Sequence, residues 1–333
     1  MKTNTQIVSL STSILLSSVA LILVIVLFIR AGEEPDNNNE LYKQTVKNSY
    51  RNFAPPLPET MSLCGENVPL EFASVRESLD REMIIVMYQH SQSFLILKRS
   101  LRYFPQIEKV LKANGVPDDL KYLCVAESAL SNVSSPAKAE GFWQFMSVTA
   151  KKYGLEVSDE YDQRYDLDKA TEAATRYLKA AREQFGSWTL ACASYNCGEN
   201  GLARRIAEQG VTDYWNLSLN TETSRYVFRI LAYKLLLENP QLYGYYVRLK
   251  DCYYPVRTSE IQIDSSVSDF NNVCRQLGVT YKTFRQFNPQ LRQNKLTNKD
   301  KKPYTFYIPQ GRDLLWRNLL PKNAHGNNFL QQD

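Results

Sequence analysis

A single glutamate, Glu127, lies on the apolar side of a predicted helix. Leu120, Leu123, Cys124 and Glu127 are spaced i, i+3, i+4 and i+7, which places them on one helix face. The carboxyl should therefore point toward packed side chains, and both burial and the negative end of the helix dipole favour its protonated form. Such an acid can serve as a general acid near neutral pH. The structural alternative is a carboxyl that turns to solvent or bonds the following loop.

Other kinds of catalytic chemistry have little support in the sequence. The chain has two histidines, His90 and His325, and neither lies near a second histidine or a CxxC pair. Zinc chemistry and Ser-His-Asp catalysis are therefore poorly supported. We predict no metal site and no cofactor, so that any reaction must use carboxylates, tyrosines and amides.

Length and composition are those of a folded protein of about two domains. The chain has 333 residues, of which 44% are hydrophobic and 23% are charged. The net charge of +5 suits an anionic polymer or surface, although a solvated basic face is the more common explanation. A nucleic-acid partner is not predicted.

The six cysteines show no metal-ligand spacing. Cys124, Cys192 and Cys197 lie in apolar helical stretches, where we expect buried free thiols. A disulfide between Cys252 and Cys274 stays open at this point.

The N-terminal region predicts a membrane anchor. Residues 10–29 carry no charge and match the ~20 residues that span a bilayer. We predict that residues 1–9 are cytoplasmic, that 10–29 cross the membrane, and that 30–70 form a polar stalk outside. A cleaved signal peptide is the alternative, but Ile29 and Arg30 do not fit the positions before a cleavage site.

Helical periodicity dominates residues 71–248, which we predict to form an all-α domain. Pro117 is expected to open the helix that carries the glutamate, and Asp168 is expected to be the N-cap of a long helix that stops at Gly186. A later helix should end before Pro240.

The pattern changes in residues 252–311, where strand-like, helical, helical and strand-like segments follow one another. This order predicts a small separate β-α-α-β domain. Its segment 282–302 holds seven lysines and arginines against one acid, Asp300. Residues 312–333 are predicted to be a polar tail.

Four short motifs together resemble the lytic transglycosylases of the soluble-lytic-transglycosylase superfamily, in the branch of membrane-bound murein transglycosylase D type. They are ES at 127–128, GFWQFM at 141–146, SYNCGENG at 194–201 and ETSRYV at 222–227. The resemblance covers about residues 75–245 and implies an all-α lysozyme-like fold. The fold class predicted for the whole chain is thus mainly α, with a small C-terminal domain and an N-terminal transmembrane helix.

The resemblance also implies roles for particular residues. Glu127 would be the sole catalytic acid and base, and the hydroxyl of Tyr226 would bond its carboxyl. The other matching residues would bind the glycan: Ser135, Gln144, Tyr195 and Asn196. Phe142 and Trp143 would pack beneath Gln144, and a purely structural role stays open for Trp143 and Tyr226.

Three positions depart from the family pattern. Ser194 replaces an alanine, Lys138 a glycine and Ser147 a proline. The loop between Glu127 and Gly141 is also one residue shorter than the common form. These differences leave the loop shape and the subsite preference open.

The implied reaction is cleavage of peptidoglycan between N-acetylmuramic acid and N-acetylglucosamine, with closure of a 1,6-anhydro ring. The C-terminal domain resembles LysM, a module that binds N-acetylglucosamine-containing glycans, or else it only covers the helices. The expected partners are glycan strands and the membrane, and the question of a protein partner stays open. The expected location is the bacterial cell envelope, with the catalytic domain anchored to the membrane and facing the periplasm or exterior.

Two other functions remain. A lysozyme-like muramidase would hydrolyse the same bond but needs a second carboxylate, for which Glu140, Asp162 and Asp166 are the nearby candidates. A non-catalytic peptidoglycan-binding protein would use only the LysM-like domain.

Overall fold

The computed structural model describes residues 53–321 and 329–330, together with the isolated positions 21, 43, 44 and 46. Contacts divide the chain at residue 53, and the unit described below is 54–333. The predicted anchor at 10–29 (apart from position 21) and about half of the predicted stalk at 30–70 lie outside the described residues. Within the described part of the chain, no helix is long and apolar enough to cross a membrane.

The larger part of this unit is helical, as predicted. Its helices are α1 (Ala73–Tyr88), α2 (His90–Ala113), α3 (Lys121–Ser128), α4 (Ser147–Lys152), α5 (Leu167–Phe185), α6 (Trp188–Cys197), α7 (Glu199–Gln209) and α8 (Thr221–Glu238).

Helix α8 lies at the centre of the helical core. It packs against α1, α3 and α6, while α5 packs against α2 and α6. The consecutive residues Tyr226, Val227 and Phe228 are all buried. Because successive side chains of a helix point about 100° apart, neighbours must surround α8 on most sides.

The ends of the long helices follow local capping rules. Helix α5 begins after Asp166, whose carboxylate accepts a hydrogen bond from the Lys169 amide at 3.1 Å. The prediction of Asp168 as this N-cap was therefore wrong, and Asp168 lies in the first turn. The predicted stop at Gly186 is confirmed, since its φ of +86° is a left-handed conformation that favours glycine. Helix α8 likewise ends at Glu238, before Pro240.

The helix that carries Glu127 starts later than predicted. Pro117 precedes a 3-10 turn, Asp118–Leu120, and the α-helix begins only at Lys121. At its other end, Ala129 and Leu130 have φ values of +51° and +56°. Two left-handed residues in succession turn the chain sharply away from the helix axis.

Helix α3 is buried on most of its faces. Leu120, Leu123 and Cys124 of the predicted apolar stripe are fully buried, but Tyr122 and Val125 are buried as well. The helix is therefore a core element and not an amphipathic surface helix.

A small hairpin precedes the helices. Strand β1 (Met61–Leu63) pairs antiparallel with β2 (Glu66–Val68). Leu63 and Val68 are 0% and 2% exposed and belong to the helical core. The predicted stalk therefore extends too far, because the sequence around residues 61–68 is too short and too polar to predict two strands.

The predicted β-α-α-β order of the C-terminal domain is confirmed. Its elements are β3 (Thr258–Ile263), α9 (Phe270–Gln276), α10 (Tyr281–Phe287) and β4 (Tyr304–Pro309). The two strands pair antiparallel, from Thr258 opposite Pro309 to Ile263 opposite Tyr304.

The C-terminal domain has its own hydrophobic core, separate from that of the helices. Phe270, Phe284 and Phe306 pack with ring centroids 5.3 to 5.6 Å apart. Tyr161, from the segment between α4 and α5, is also a member of this core.

The predicted polar tail is partly structured. A 3-10 turn, Gly311–Leu314, is followed by a short helix α11 (Trp316–Leu319). Leu330 is 2% exposed and its amide donates to the Val247 carbonyl at 2.8 Å. The polar tail thus contains a buried residue that the sequence does not indicate, because a single leucine leaves no periodic pattern.

All six cysteines are free. Cys124 and Cys192 are buried as predicted, whereas Cys197 is half-buried. Cys252 and Cys274 are not bonded to each other, because they lie in the helical core and the C-terminal core, respectively.

Candidate active site

Glu127 lies in the last turn of α3, half-buried between the helices. The hydroxyl of Tyr226 on α8 donates a hydrogen bond to its Oε1. Burial raises the pKa of the Glu127 carboxyl to about 7. The hydrogen bond from Tyr226 and the positive charge of Arg229 favour the ionised form, while the charge of Glu222 opposes it. The carboxyl can therefore hold or release a proton near neutral pH.

Tyr226 is placed by the packing of α8 against α3. It is 2% exposed, and burial followed by the charge of Glu127 raises the pKa of its phenol well above the ordinary value. The phenol thus keeps its proton and acts as a donor to the glutamate.

A second glutamate, Glu82 of α1, holds the arginines of α8. It is 0% exposed, with Arg225 Nε 2.7 Å and Arg229 Nε 3.8 Å from its carboxylate oxygens. Arg229 also donates to Glu222 at 3.0 Å. The positive charge near Glu127 is therefore fixed by carboxylates on both sides.

Residues 133–146, called here the site loop, carry the GFWQFM motif. Its backbone is held by bonds from the Gly141 amide to the Val133 carbonyl at 2.9 Å and from the Glu140 amide to the Phe145 carbonyl at 3.2 Å. Gly141 has a φ of +81°, and a Cβ there would lie 1.9 Å from the Arg164 carbonyl oxygen. Only glycine fits this approach.

Gln144 is held in a left-handed conformation with a φ of +49°. Its amide nitrogen donates to the carbonyls of Val133 at 2.9 Å and Gly141 at 2.7 Å. Both hydrogens of the side-chain amide are thus used within the site loop, and no described residue bonds its oxygen, which can accept a bond from a ligand. Lys138, where the family pattern has glycine, is likewise left-handed with a φ of +62°.

The aromatic residues before Gln144 anchor the site loop in the core. Trp143 is 0% exposed and its indole nitrogen donates to Thr171 Oγ1 at 2.9 Å. Phe142 is 4% exposed, and its ring packs edge-on against Tyr103 at 4.8 Å. This burial and the bond to Thr171 support the structural role that stayed open for Trp143.

Tyr195 and Asn196 end helix α6 beside the site loop and α8. The Tyr195 hydroxyl donates to the Trp143 carbonyl at 2.7 Å, and Asn196 Oδ1 accepts from Thr223 at 2.8 Å. Burial and then the charge of Glu127 raise the pKa of Tyr195 well above its ordinary value. The pair therefore links α6 to both structures that flank the acid.

Ser135 lies in the site loop and closes its turn. Its hydroxyl oxygen accepts from the Ala139 amide at 2.9 Å, and its own amide donates to the Ala139 carbonyl at 2.9 Å. These bonds shape the loop, and no contact connects Ser135 to Glu127 directly within the described residues.

The three candidate second carboxylates are bonded to other groups. Glu140 accepts from Ser134 at 2.9 Å and from the Tyr165 hydroxyl. Asp162 is ion-paired with Arg164 at 2.7 Å, and Asp166 caps α5. The carboxylate whose charge raises the pKa of Glu127 is instead that of Glu222.

Sequence reasoning missed four charged residues of this region: Glu82, Arg164, Glu222 and Arg229. Glu222 is the first residue of the ETSRYV motif, so the motif could have indicated it. Nothing in the sequence pairs Glu82 with Arg225, 143 positions later. In the described part of the chain, no group of three or more His, Cys, Asp and Glu side chains could hold a metal ion.

Two family models and several curated proteins match parts of this chain. Residues 105–218 match the family model of the Transglycosylase SLT domain, and residues 259–312 match that of the Soluble lytic transglycosylase C-terminal LysM-like domain. The chain is 31% identical over 209 residues to Membrane-bound lytic murein transglycosylase D of Escherichia coli K12, covering 60% of this chain and 46% of the relative. The protein of the same name from Escherichia coli O6:H1 gives the same values. The chain thus spans about half the length of the curated relatives it matches.

Proposed function

We propose that this chain, which contains an SLT domain and is homologous to membrane-bound lytic murein transglycosylase D, is a peptidoglycan lytic transglycosylase. The bond cleaved would be the β-1,4 bond between N-acetylmuramic acid and N-acetylglucosamine. The observation that carries the proposal is Glu127, a half-buried carboxyl with a pKa of about 7 and a tyrosine donor, inside the SLT domain.

In the first step, protonated Glu127 gives its proton to the glycosidic oxygen. The bond from this oxygen to C1 of the muramic acid breaks, and the N-acetylglucosamine leaves with a hydroxyl on its C4. The positive charge that develops at C1 is shared by the muramic acid's own N-acetyl oxygen. The bond from Tyr226 and the charge of Arg229 stabilise the carboxylate that remains.

In the second step, the Glu127 carboxylate takes the proton of the muramic acid's C6 hydroxyl while O6 bonds to C1. The product carries a 1,6-anhydro ring, and Glu127 is protonated again. Because the hydroxyl belongs to the sugar itself, no water has to be positioned. A pKa near 7 suits a group that must act first as acid and then as base.

The remaining motif residues would bind the glycan. The amide oxygen of Gln144 is available as an acceptor for a sugar hydroxyl or amide. Tyr195 and Asn196, in the last turn of α6, would contact the N-acetyl group. Ser135 would stabilise the conformation of the site loop. These roles are consistent with their positions on the elements that flank Glu127.

Hydrolysis of the same bond is less well supported. A muramidase needs a second carboxylate to activate water, and Glu140, Asp162 and Asp166 are each held by other protein groups. A purely binding protein would have no use for a carboxyl of raised pKa.

The cell envelope is the location that fits peptidoglycan as substrate. Anchoring through residues 10–29, with the catalytic domain in the periplasm or exterior, is part of the proposal. The LysM-like domain would contribute to glycan binding.

Product analysis tests the proposal. The purified full-length chain is incubated with peptidoglycan sacculi, and the released muropeptides are identified by mass spectrometry. We expect 1,6-anhydro ends from the wild type, and at least a hundredfold less product from Glu127→Gln. The matched control is Glu183→Gln, an exposed glutamate on α5, which should cleave normally. Reducing ends in place of anhydro ends would show a hydrolase, and full activity of Glu127→Gln would refute the assignment of the acid.

A further inference from the structure

The segment between α4 and α5 joins the helical domain to the C-terminal domain through backbone bonds. The Asp162 amide donates to the Gln290 carbonyl at 2.8 Å, and the Arg292 amide donates to the Glu160 carbonyl at 2.7 Å. Tyr161 lies between these bonds, 3% exposed. Its ring packs into the C-terminal core, 4.7 Å from the ring of Tyr304. A domain that was only tethered by a linker would not share main-chain bonds and a core residue with its neighbour.

Charged side chains reinforce the same contact. Glu160 pairs with Lys295 at 3.1 Å and accepts from the Thr297 amide at 2.6 Å. Glu156 pairs with Lys302 at 3.6 Å and accepts from the Tyr304 hydroxyl at 2.8 Å. Part of the basic segment 282–302 is therefore paired with the helical domain and is not available for an anionic ligand.

The contact continues from this segment to the site loop. Asp162 orients Arg164 through bonds of 2.7 to 3.1 Å. Arg164, which is buried, donates to the carbonyls of Lys138 and Phe145 at 3.1 Å each. These carbonyls lie on both sides of the GFWQ turn, so that Arg164 connects the segments before and after this turn.

A second connection runs through an arginine of the C-terminal domain. The guanidinium of Arg292 lies 3.9 Å from the centroid of the Tyr165 ring. The Tyr165 hydroxyl donates to Glu140, whose main chain bonds Phe145. Both connections start in the C-terminal domain and end on the loop that presents Gln144.

We propose that the C-terminal domain is a positioning element of the active site: docked through Glu160 and Tyr161, it holds the site loop in the conformation that binds the glycan beside Glu127. The effect of this domain on cleavage rests on the proposed function. Its effect on the conformation of the site loop does not depend on that function. Undocking should therefore impair cleavage even of short glycans that cannot reach both domains. The loss should fall mainly on KM, because the acid itself is untouched.

The test compares Glu160→Lys with Asp159→Lys in the full-length chain. Both variants change the charge equally at adjacent positions, but Asp159 is exposed and has no hydrogen bond or ion pair with the described residues of the C-terminal domain. Amide hydrogen exchange is followed at Asp162 and Arg292 for the docking, and at Glu140 and Gly141 for the site loop. KM and kcat are measured on a soluble peptidoglycan tetrasaccharide.

For Glu160→Lys we expect exchange at least tenfold faster at both sets of amides, with strands β3 and β4 still protected. KM should rise about tenfold and kcat should change less than threefold, while Asp159→Lys behaves as wild type. Adding Lys295→Glu to Glu160→Lys should restore part of the protection, because the ion pair forms again with reversed charges.

Several results would overturn the inference. One is undocking with unchanged exchange at Glu140 and Gly141, because the loop would then hold its shape alone. Another is unchanged docking in Glu160→Lys, because Glu160 would not hold the contact. If the loop loosens as expected but the wild type itself produces no anhydro ends, the proposed function fails and the positioning role stands.

Discussion

Helix α8 contacts two glutamates from different helices, and their surroundings are opposite. Glu82 on α1 is 0% exposed and faces Arg225, Arg229 and its neighbour Arg81, all within 4 Å. Glu127 on α3 is half-buried and, among the described residues, has one direct donor, the hydroxyl of Tyr226. One carboxylate is compensated by cations, and the other is left in surroundings that favour its proton.

The difference shows how one helix supports both structure and chemistry. Arg225 and Tyr226 are adjacent in sequence and so point about 100° apart on α8. The arginine reaches Glu82 and the tyrosine reaches Glu127. Burial alone therefore does not identify a catalytic acid, and the type of the neighbouring donors distinguishes the two glutamates.

The comparison of the two glutamates is tested most strongly by removing the charge of Glu82, which the arginines compensate. We expect Glu82→Gln to lower the free energy of unfolding by about 3 kcal/mol or more, because two arginines lose their buried partner. Urea unfolding of the full-length chain measures this loss. Glu77→Gln, an exposed glutamate on the same helix, serves as the control and should change stability little. A loss below 1 kcal/mol would mean that Glu82 does not hold α8.

Removing the charge of Glu127 should raise the free energy of unfolding at high pH, whereas removing the charge of Glu82 should lower it. The folded-state pKa of Glu127, about 7, is above the ordinary value of 4.5. The stability linked to its proton is therefore complete below pH 4.5 and is lost as the pH rises through about 7. Glu127→Gln cannot ionise, so we expect it to be more stable than wild type at pH 8, with an advantage about 2 kcal/mol larger than at pH 5. Unfolding curves at the two pH values measure the difference, and an advantage independent of pH would contradict it.

The smallest expected effect comes from removing the hydroxyl of Tyr226, the donor to Glu127. The wild type needs protonated Glu127, so its cleavage rate should fall as the pH rises through about 7. Tyr226→Phe removes a bond that favours the ionised carboxylate, so this fall should move to higher pH, and the maximal rate should drop about tenfold.

The pH–rate profile on soluble glycan measures both changes. Tyr233→Phe is the control, since this tyrosine of α8 bonds Gln92 and not Glu127. A fall that stays at the wild-type pH in Tyr226→Phe would show that the phenol does not stabilise the carboxylate.

Much of the fold was predictable because it depends on neighbours in sequence. Gly186 ends α5 as expected, since a left-handed residue is needed there and glycine supplies it. The cap of the same helix was misplaced by two residues, because Asp166 and Asp168 are both plausible and only the observed bond to Lys169 distinguishes them. Leu63 and Leu330 were missed because each enters the core from a segment without periodicity.

The candidate site was also predictable from the sequence only in part. The order of the motifs predicted that Glu127, Gln144 and Tyr226 belong to one site. The bond from Tyr226 to Glu127 is observed. The arginines around Glu82, and the path from Arg292 through Tyr165 to Glu140, join residues far apart in the chain. No spacing rule links such positions.

By itself, the sequence determined the helical periodicity, most helix ends, the β-α-α-β order and the lone glutamate at the end of an apolar helix. These features follow from interactions within a few residues, where the backbone geometry is known in advance. The tertiary structure alone decided which carboxyl is compensated, how far the pKa of Glu127 is raised, and that Tyr161 enters the C-terminal core. Those properties depend on the desolvation and charge supplied by distant segments, which only folding brings into contact.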